Sequence, residues 1–272
     1  MGVFRYPGGK TRLMNPIKEY LYPILDRTDW YVEPFVGGGS VLMQVAKDYP
    51  NKLLFINDKD ERMAAFWSMV AHGNAEEIER LEELIRTPPT VELFKELRER
   101  GIPMDTVGRA YHAIFFNRCT FSGIATSGPI GGYEQKSKYA VDCRYNIERI
   151  ISDFKKLRDL MDGRLTVESR DCMDYLARFE NESCGIYLDP PYFVKGSGLY
   201  PVHMQDIEHQ NLANYMIGQK DWLMSYDICD PIDAMYGVCE RIPLDARYSI
   251  NGEQRKDWVP KKEYLIRPNE EA

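Results

Sequence analysis

Short apolar runs alternate along this chain with stretches whose apolar positions recur at the helical period of 3.6 residues. The runs predict buried strands at 30–33, 53–57, 164–168, 185–188, 222–226, 238–243 and 262–267. Between the second and third runs, the helical period predicts helices at 60–71, 75–86, 91–99, 106–117 and 145–161. The alternation elsewhere indicates an α/β fold, with a mostly parallel sheet and helices on both of its faces.

The long helical stretch predicts an insertion into this sheet. We expect residues 1–58 and 165–272 to form one domain, and residues 59–164 to form an inserted helical domain. A chain of 272 residues, 44% of them apolar, is long enough for one large core with a smaller lobe or for two domains. Within the insertion, 121–139 is rich in Gly, Ser and Lys. It is either a loop that becomes ordered on a partner or an ordinary surface loop.

A glycine-rich segment, EPFVGGGS at 33–40, lies between the first predicted strand and a helical pattern. Glycines let a backbone approach a ligand closely, and Ser40 is placed to cap the helix whose free N–H groups would face that ligand. Asp58 ends the next strand about 20 residues later, the spacing expected for a carboxylate that binds ribose hydroxyls. The combination predicts a nucleoside site.

The chemistry of this loop favours a nucleoside that carries positive charge. The loop has neither the GxGxxG pattern nor the GxxxxGK pattern, and Glu33 at its mouth would repel a pyrophosphate. S-adenosylmethionine carries a sulfonium and an amino group and therefore fits better than NAD or ATP. A dinucleotide site remains the alternative.

The apolar run at 185–188 ends at Asp189, Pro190, Pro191 and Tyr192, a DPPY tetrapeptide. The prolines have no N–H, so the carbonyls around them remain available to accept hydrogen bonds. A carboxylate, a rigid turn and an aromatic face together suit the exocyclic amino group of a stacked base. The alternative is a plain strand-to-loop turn with a capping Asp.

Taken in order, these motifs resemble those of the Dam-type (D12 class, alpha group) DNA adenine-N6 methyltransferases. The motifs that carry the resemblance are FRYPGGK at 4–10, EPFVGGGS at 33–40, ND at 57–58, FNRCTFSG at 116–123, RDC at 170–172, DPPY at 189–192, YSIN at 248–251 and EYLI at 263–266. The resemblance covers almost the whole chain. It implies a Rossmann-like, S-adenosylmethionine-dependent methyltransferase sheet with an inserted helical target-recognition domain.

The resemblance also implies an activity and a set of site residues. The activity is transfer of a methyl group from S-adenosylmethionine to N6 of an adenine flipped out of double-stranded DNA, with no metal. The implied catalytic residues are Asp189, Pro190, Pro191 and Tyr192, and Tyr192 would stack on the base. The implied cofactor-binding residues are Tyr6, Lys10, Glu33, Phe35, Gly37, Gly39, Asp58 and Asp171. Among these, Asp58 would bind the ribose and Asp171 the adenine edge.

The implied DNA-binding residues are Asn117 and Arg118, to which we add Lys136, Lys138 and Arg144 as basic candidates further along. In relatives that read GATC, an arginine that binds guanine follows the motif at 116–123 by a short interval. Here that interval, 124–128, is IATSG and holds no such arginine. We therefore expect methylation within a short duplex motif other than GATC.

Net charge is the main objection to DNA, because a formal charge of −7 repels a polyanion at long range. The basic residues are concentrated locally, however. From 134 to 164 there are eight Lys and Arg against six Asp and Glu, and from 241 to 262 six against three. This bias gives modest support to DNA contacts in these two segments.

The remaining composition excludes several other classes of protein. The six cysteines form no CxxC pair and the four histidines have no metal-binding spacing, so neither a zinc site nor a disulfide framework is expected. No run of 18 apolar residues and no secretory signal is visible, which indicates a cytoplasmic protein. The alternatives are an RNA or protein methyltransferase and a catalytically decayed DNA-binding relative. The sequence leaves open a partner restriction endonuclease and the oligomeric state.

Overall fold

One seven-stranded β-sheet organises the fold in a computed structural model that describes residues 3–4, 9–194, 202–246 and 261–269. The strands are β1 Trp30–Glu33, β2 Leu53–Asn57, β3 Leu165–Glu168, β4 Cys184–Leu188, β5 Trp222–Asp227, β6 Glu240–Ala246 and β7 Lys261–Arg267. Their order across the sheet is β3-β2-β1-β4-β5-β7-β6. Strands β1 to β5 are parallel, whereas β7 runs antiparallel to both β5 and β6. All seven predicted strands are found, six of them within one residue of their predicted bounds, whereas β6 begins two residues and ends three residues later than predicted.

Ten α-helices accompany the sheet within the described residues. They are α1 Met14–Asp26, α2 Ser40–Asp48, α3 Glu61–His72, α4 Ala75–Arg86, α5 Val91–Arg100, α6 Thr106–Cys119, α7 Ile147–Met161, α8 Cys172–Leu176, α9 Asp206–Ile217 and α10 Asp230–Met235. Polar side chains fix several of the starts. Asn74 forms a capping box with Glu77 at α4, and Asp105 and Asn146 cap α6 and α7. These caps explain why the five helices expected between β2 and β3 are found close to their predicted bounds.

The hydrophobic core occupies both faces of the sheet. Tyr187 of β4 packs into a cluster that contains side chains of α1, α2, α3, α4, α6 and α7. Its neighbours Ile186 and Leu188 point to the opposite face, where α8, α9 and α10 cover them. The sheet is therefore covered by helices on both faces, which confirms the predicted α/β fold class.

The helices between β2 and β3 share their core with the sheet. Helix α3 contacts β3, and α7 contacts both α2 and α3. Phe66 of α3 packs edge-on against Phe154 of α7, with ring centroids 6.0 Å apart. One continuous cluster of buried side chains includes residues of both predicted domains. The division of the chain into a domain of 1–58 and 165–272 and an inserted domain of 59–164 therefore remains a prediction. No helix within the described ranges combines the length and the apolarity that a membrane span needs.

Candidate active site

The glycine-rich loop between β1 and α2 is fixed against α3. Gly37 and Gly39 have positive φ angles of 44° and 64°, which L side chains rarely adopt. The indole N–H of Trp67 donates to the Gly37 carbonyl at 2.9 Å, and a Cβ on Gly39 would lie 2.2 Å from the Trp67 ring. The loop therefore needs glycine at position 39 for both conformation and space.

The expected cap of α2 is wrong. Gly39, in the left-handed conformation, is the N-cap residue, and no side chain caps the helix. Ser40 is already the first helical residue, so its hydroxyl does not reach the next N–H groups in the way that an N-cap side chain does. It instead accepts the backbone N–H of Lys10 at 3.1 Å. Ser40 thus joins the N-terminal motif to the glycine-rich loop.

Asp58 lies at the carboxyl end of β2 and holds the loop from the other side. Its two carboxylate oxygens accept the backbone N–H groups of Gly37 and Asp60, each at 2.9 Å. Burial raises the pKa of Asp58 to about 7, and the nearby charge of Asp60 adds to the rise. A carboxylate held in this way can still accept further hydrogen bonds through its remaining lone pairs.

Asn57, which the sequence analysis did not assign to the site, joins three segments around it. Its buried side-chain amide donates to the carbonyls of Pro34 and Arg170, both at 3.1 Å, and accepts the Arg170 N–H at 2.8 Å. The loops that follow β1, β2 and β3 are therefore held together at one edge of the sheet. The only sequence signal was its place beside Asp58.

We expect Asn57→Ala to lower the free energy of unfolding by about 2–4 kcal/mol, because it leaves the buried Pro34 carbonyl and the partly buried N–H and carbonyl of Arg170 without these partners. Urea unfolding followed by circular dichroism measures this. Asn214→Ala is the control: Asn214 is an exposed side chain on α9 and should cost less than about 0.5 kcal/mol. Equal effects of the two substitutions would contradict the role assigned to Asn57.

The DPPY motif follows β4 and places Asp189 beside Lys10. The Lys10 ammonium is 2.7 Å from a carboxylate oxygen of Asp189, and the lysine side chain is 1% exposed. Burial alone would lower the pKa of Lys10, but the Asp189 charge raises it well above its usual value. Burial raises the pKa of Asp189 to about 6, against the opposing effect of Lys10.

Tyr192 and Glu263 complete this cluster. The Tyr192 hydroxyl donates to Glu263 of β7, and the Lys10 ammonium lies 5.4 Å from the centre of the tyrosine ring. A second carboxylate oxygen of Glu263 is 3.8 Å from the same ammonium. Glu263 begins the EYLI motif at 263–266, for which the sequence predicts a strand and no role in the site.

One cavity of about 290 Å³ brings the main sequence motifs together. Its lining includes Glu33, Phe35, Gly37, Gly39, Asp58 and Asp189. Glu33 is buried and accepts the Tyr31 hydroxyl at 2.7 Å, and burial raises its pKa well above the usual value. Four acidic residues line the cavity when Asp60 is included, against one lysine, Lys59, and this suits a cationic ligand with hydroxyl donors better than a phosphate.

A second cavity, of about 480 Å³, adjoins the first. Tyr192 and Phe193 line it, and the two cavities share His203 and Met204. The backbone here is held by Asp227, at the end of β5, whose oxygens accept the N–H groups of Phe193 and Val194 at 3.0 and 3.1 Å. The loop that follows the DPPY motif is thus fixed from the neighbouring strand.

Asp171 is placed at the rim of this region. It caps α8 by accepting the Met173 N–H at 3.0 Å, and it pairs with Lys59 at 2.9 Å. Lys59 also pairs with Glu208 at 3.1 Å and lines the first cavity. The role implied for Asp171 at the cofactor's adenine edge remains a prediction. Tyr6 lies outside the described residues.

The residues expected to bind DNA fall into two groups. Lys136, Lys138 and Arg144 are exposed on the loop between α6 and α7. Asn117 is buried at 6% exposure, with its amide 3.5 Å from the Gly123 carbonyl, and Arg118 is half-buried. In this conformation Asn117 therefore shapes the turn at Phe121–Gly123. Direct contact of any of the five with DNA remains a prediction.

Arg98 of α5, which the sequence analysis did not single out, fixes the start of this loop. Its guanidinium donates to the carbonyls of Ala125 and Ser127 at 2.8 and 2.9 Å and stacks on Phe116 at 4.3 Å from the ring centre. Within the described residues, no group of three or more His, Cys, Asp or Glu side chains is arranged to hold a metal ion.

Comparison with known proteins agrees with this geometry. The chain is 24% identical over 209 residues to the type II methyltransferase M.MjaIII of Methanocaldococcus jannaschii, an alignment that covers 69% of this chain and 68% of that protein. The family model of the D12 class N6 adenine-specific DNA methyltransferases matches residues 6–250, which include the glycine-rich loop and the DPPY motif. The chain belongs to the family of D12 class N6 adenine-specific DNA methyltransferases.

Proposed function

We propose that the methyl donor is S-adenosylmethionine bound in the first cavity, and that the acceptor is N6 of an adenine flipped out of duplex DNA. The observation that carries this proposal is that Asp58 and Asp189 line one cavity together with the glycine-rich loop. A donor and an acceptor amine must meet within reach of each other. The binding sites for the donor and for the acceptor amine therefore have to open into the same cavity.

The lining residues fit this donor chemically. Asp58 accepts from the ribose hydroxyls, Glu33 complements positive charge once it has lost its proton, and Phe35 packs against the apolar part of the methionine chain. Gly37 and Gly39 line the same cavity, where they offer backbone without side chains to the nucleoside. When bound, the cofactor supplies an electrophilic methyl carbon on a sulfonium.

Asp189 and the carbonyl of Pro190 hold the amino group of the target base. Each accepts one N–H, which draws the nitrogen lone pair out of conjugation with the purine ring and directs it away from the ring plane. Only the ionised carboxylate is a pure acceptor, so a pKa of about 6 for Asp189 predicts that activity declines below that pH. Lys10 and the fixed backbone at Pro190 and Pro191 keep these acceptors in place.

The second cavity is proposed to receive the flipped adenine. An amino group inside a base pair cannot reach a donor bound in a protein cleft, so the base has to leave the stack. Tyr192 lines this cavity and offers an aromatic ring for stacking, with Phe193 as a second apolar wall. Lys136, Lys138 and Arg144 supply phosphate contacts from the exposed loop, next to Asn117 and Arg118.

The relative in M. jannaschii is named as a type II methyltransferase. By extension we propose that this chain methylates one short, fixed DNA sequence, and that its mark protects that sequence from a partner restriction endonuclease. The interval at 124–128 carries no arginine, which favours a recognition sequence other than GATC.

Binding of S-adenosylmethionine at pH 7 is expected to release about half a proton from Asp58. With a pKa of about 7, this carboxyl is about half protonated in the free enzyme, and two hydroxyl donors favour the ionised form, in which both oxygens are acceptors. Affinity should therefore weaken as the pH falls below 7. Calorimetry in buffers of different ionisation enthalpy measures the release.

The variant Asp58→Asn serves as the control for this titration, because Glu33, whose pKa is also raised, could release protons on the same event. Any proton release that Asp58→Asn still shows on binding S-adenosylmethionine comes from Glu33 and its neighbours. Identical release by the two proteins would contradict the assignment of Asp58 to the ribose.

The experiment that tests the proposed function is a substrate panel with labelled S-adenosylmethionine. Duplex DNA, single-stranded DNA, RNA and protein are incubated with the enzyme, and the DNA is digested and analysed for N6-methyladenine by mass spectrometry. The proposal predicts label in duplex DNA, as N6-methyladenine within one sequence context. Label confined to RNA or protein would overturn it.

A further inference from the structure

Glu263 is a buried carboxylate that lies beside the catalytic motif and has no role in the function described so far. It is 2% exposed and belongs to β7, an antiparallel strand inserted next to β5. One of its oxygens accepts the Tyr192 hydroxyl. The other is 3.8 Å from the Lys10 ammonium and has no hydrogen-bond partner among the described residues. A buried acid with an unsatisfied oxygen is costly, which calls for an explanation beyond packing.

We propose that Glu263 is a positioning residue for methyl transfer, which shares the charge of Lys10 with Asp189 and holds the ring of Tyr192 in place. This inference rests on the proposed function, since it assumes that Asp189 accepts the amine of the target base. Glu263 acts through Lys10 and Tyr192 and is not among the residues that line either described cavity.

The charges in this cluster support the proposal that Glu263 shares the charge of Lys10 with Asp189. One ammonium lies between two carboxylates, at 2.7 Å from Asp189 and at 3.8 Å from Glu263. With Asp189 as its only partner, Lys10 would neutralise that carboxylate and weaken it as a hydrogen-bond acceptor. The second carboxylate leaves the cluster with a net negative charge. Asp189 therefore keeps the electron density that it needs to accept an amine N–H.

The register of strands β5 and β7 supports the proposal that Glu263 holds the ring of Tyr192 in place. Glu263 pairs directly with Asp227 across β5 and β7. Asp227 holds the backbone N–H groups of Phe193 and Val194, while Glu263 holds the hydroxyl of Tyr192. Asp227 and Glu263, which are paired across two neighbouring strands, thus fix the side chain of Tyr192 and the backbone that follows it. This arrangement limits rotation of the Tyr192 ring, which is 3% exposed and lines the second cavity.

The titration of Asp189 reports on this arrangement. The charged and titratable groups that face it are Lys10 before α1, Tyr31 and Glu33 of β1, Tyr187 of β4, Tyr192 after β4, and Glu263 of β7. Glu263 is the member of this set whose charge disfavours ionisation of Asp189 from β7. Removing that charge while keeping the shape should therefore make Asp189 easier to ionise.

The test is the variant Glu263→Gln, which keeps an oxygen acceptor for Tyr192 and removes the charge. Single-turnover rate constants for methyl transfer to duplex DNA are measured from pH 5 to pH 9. We expect the rate constant at pH 7.5 to fall about tenfold or more. The acidic limb, which is the part of the pH–rate profile where the rate falls at low pH, should shift to lower pH by about half a unit or more. The Kd of S-adenosylmethionine should change less than about twofold.

A second variant separates orientation from charge. Tyr192→Phe removes the hydroxyl contact but leaves the charges of Lys10, Asp189 and Glu263 in place, so the rate should fall without a shift of the acidic limb. The control is Glu240→Gln on β6, a partly exposed acid that pairs with Arg267 at 2.6 Å and should leave both rate and limb unchanged.

An unmoved acidic limb in Glu263→Gln would overturn the inference. So would loss of activity in that variant as complete as in Asp189→Ala, since a positioning residue leaves the acceptors in place. Neither result touches the proposed function, which depends on methylation of duplex DNA by the wild type and on its loss in Asp189→Ala. Failure of the wild type to methylate any DNA would refute the proposed function itself.

Discussion

Asp189→Ala is expected to slow methyl transfer by about 10³-fold or more while S-adenosylmethionine still binds with an affinity within about tenfold of the wild type. The substitution removes the acceptor that orients the amine of the target base. A loss of this size corresponds to about 4 kcal/mol of transition-state stabilisation, the range of one strong, buried hydrogen bond to a reacting group. Donor affinity should change less, because Asp58 and the glycine-rich loop, which we propose hold the donor, line the same cavity and stay intact in this variant.

Single-turnover kinetics and calorimetry measure the two quantities separately. Asp189→Asn preserves the shape and one oxygen acceptor, so its loss of rate should be smaller than that of Asp189→Ala. Asp174→Ala, at an exposed aspartate of α8, is the control and should retain wild-type rates. Equal loss of donor binding and of rate in Asp189→Ala would show that Asp189 supports the cavity and does not act on the amine.

Gly39→Ala is expected to lower the free energy of unfolding by about 3 kcal/mol or more and to abolish donor binding. The new Cβ would lie 2.2 Å from the buried Trp67 ring, and the φ angle of 64° would be strained in any L residue. Moving the ring also breaks its hydrogen bond to the Gly37 carbonyl, which fixes the loop.

Gly163→Ala is the control for this effect. Gly163 has nearly the same φ, 66°, but an added Cβ there meets nothing within 4 Å. It should cost only about 1 kcal/mol, which is the cost of the positive φ alone. Denaturant unfolding of the two variants therefore separates the effect of backbone strain from that of the clash with Trp67. A Gly39→Ala protein as stable as Gly163→Ala would mean that the loop is free to move away from α3.

The central strands β4 and β5 were predictable from the sequence because they are buried, and a buried strand shows as a continuous apolar run. Helices with an apolar stripe and a cap, such as α4, were predictable for the same kind of reason. Helix α1 was not predicted, because Pro23 lies inside it and proline argues against a helix interior. Helix α9 was not predicted either; its apolar side chains do not separate onto one face.

The candidate site was predictable only where its residues are neighbours in sequence. The glycine-rich loop and the DPPY motif each carry several functional atoms within a few residues. Glu263 meets Tyr192 across 71 positions, and only the insertion of β7 beside β5 brings them together. Asp227 reaches the loop after Tyr192 in the same way, from a different strand. Such pairs follow from strand order, which the local pattern of one sequence does not encode.

Asn117 belongs to a motif that is recognisable in the sequence, but its position in the structure differs from the one that the motif suggests. The resemblance links this motif to DNA, yet the side chain is buried and supports the turn that follows α6. A motif can therefore be tied to a function through the shape of the loop that it builds. For the same reason Arg98, which has no motif of its own, holds the carbonyls at Ala125 and Ser127 and shapes the exposed basic loop.

Donor and acceptor groups should meet in the cavity lined by Asp58 and Asp189. A crystal structure with bound S-adenosylhomocysteine would show whether they do. We expect the ligand to lie along the glycine-rich loop, with its ribose hydroxyls hydrogen-bonded to Asp58 and its sulfur facing Asp189. A ligand bound outside this cavity, or one that leaves Asp58 without a ribose contact, would refute the proposed site.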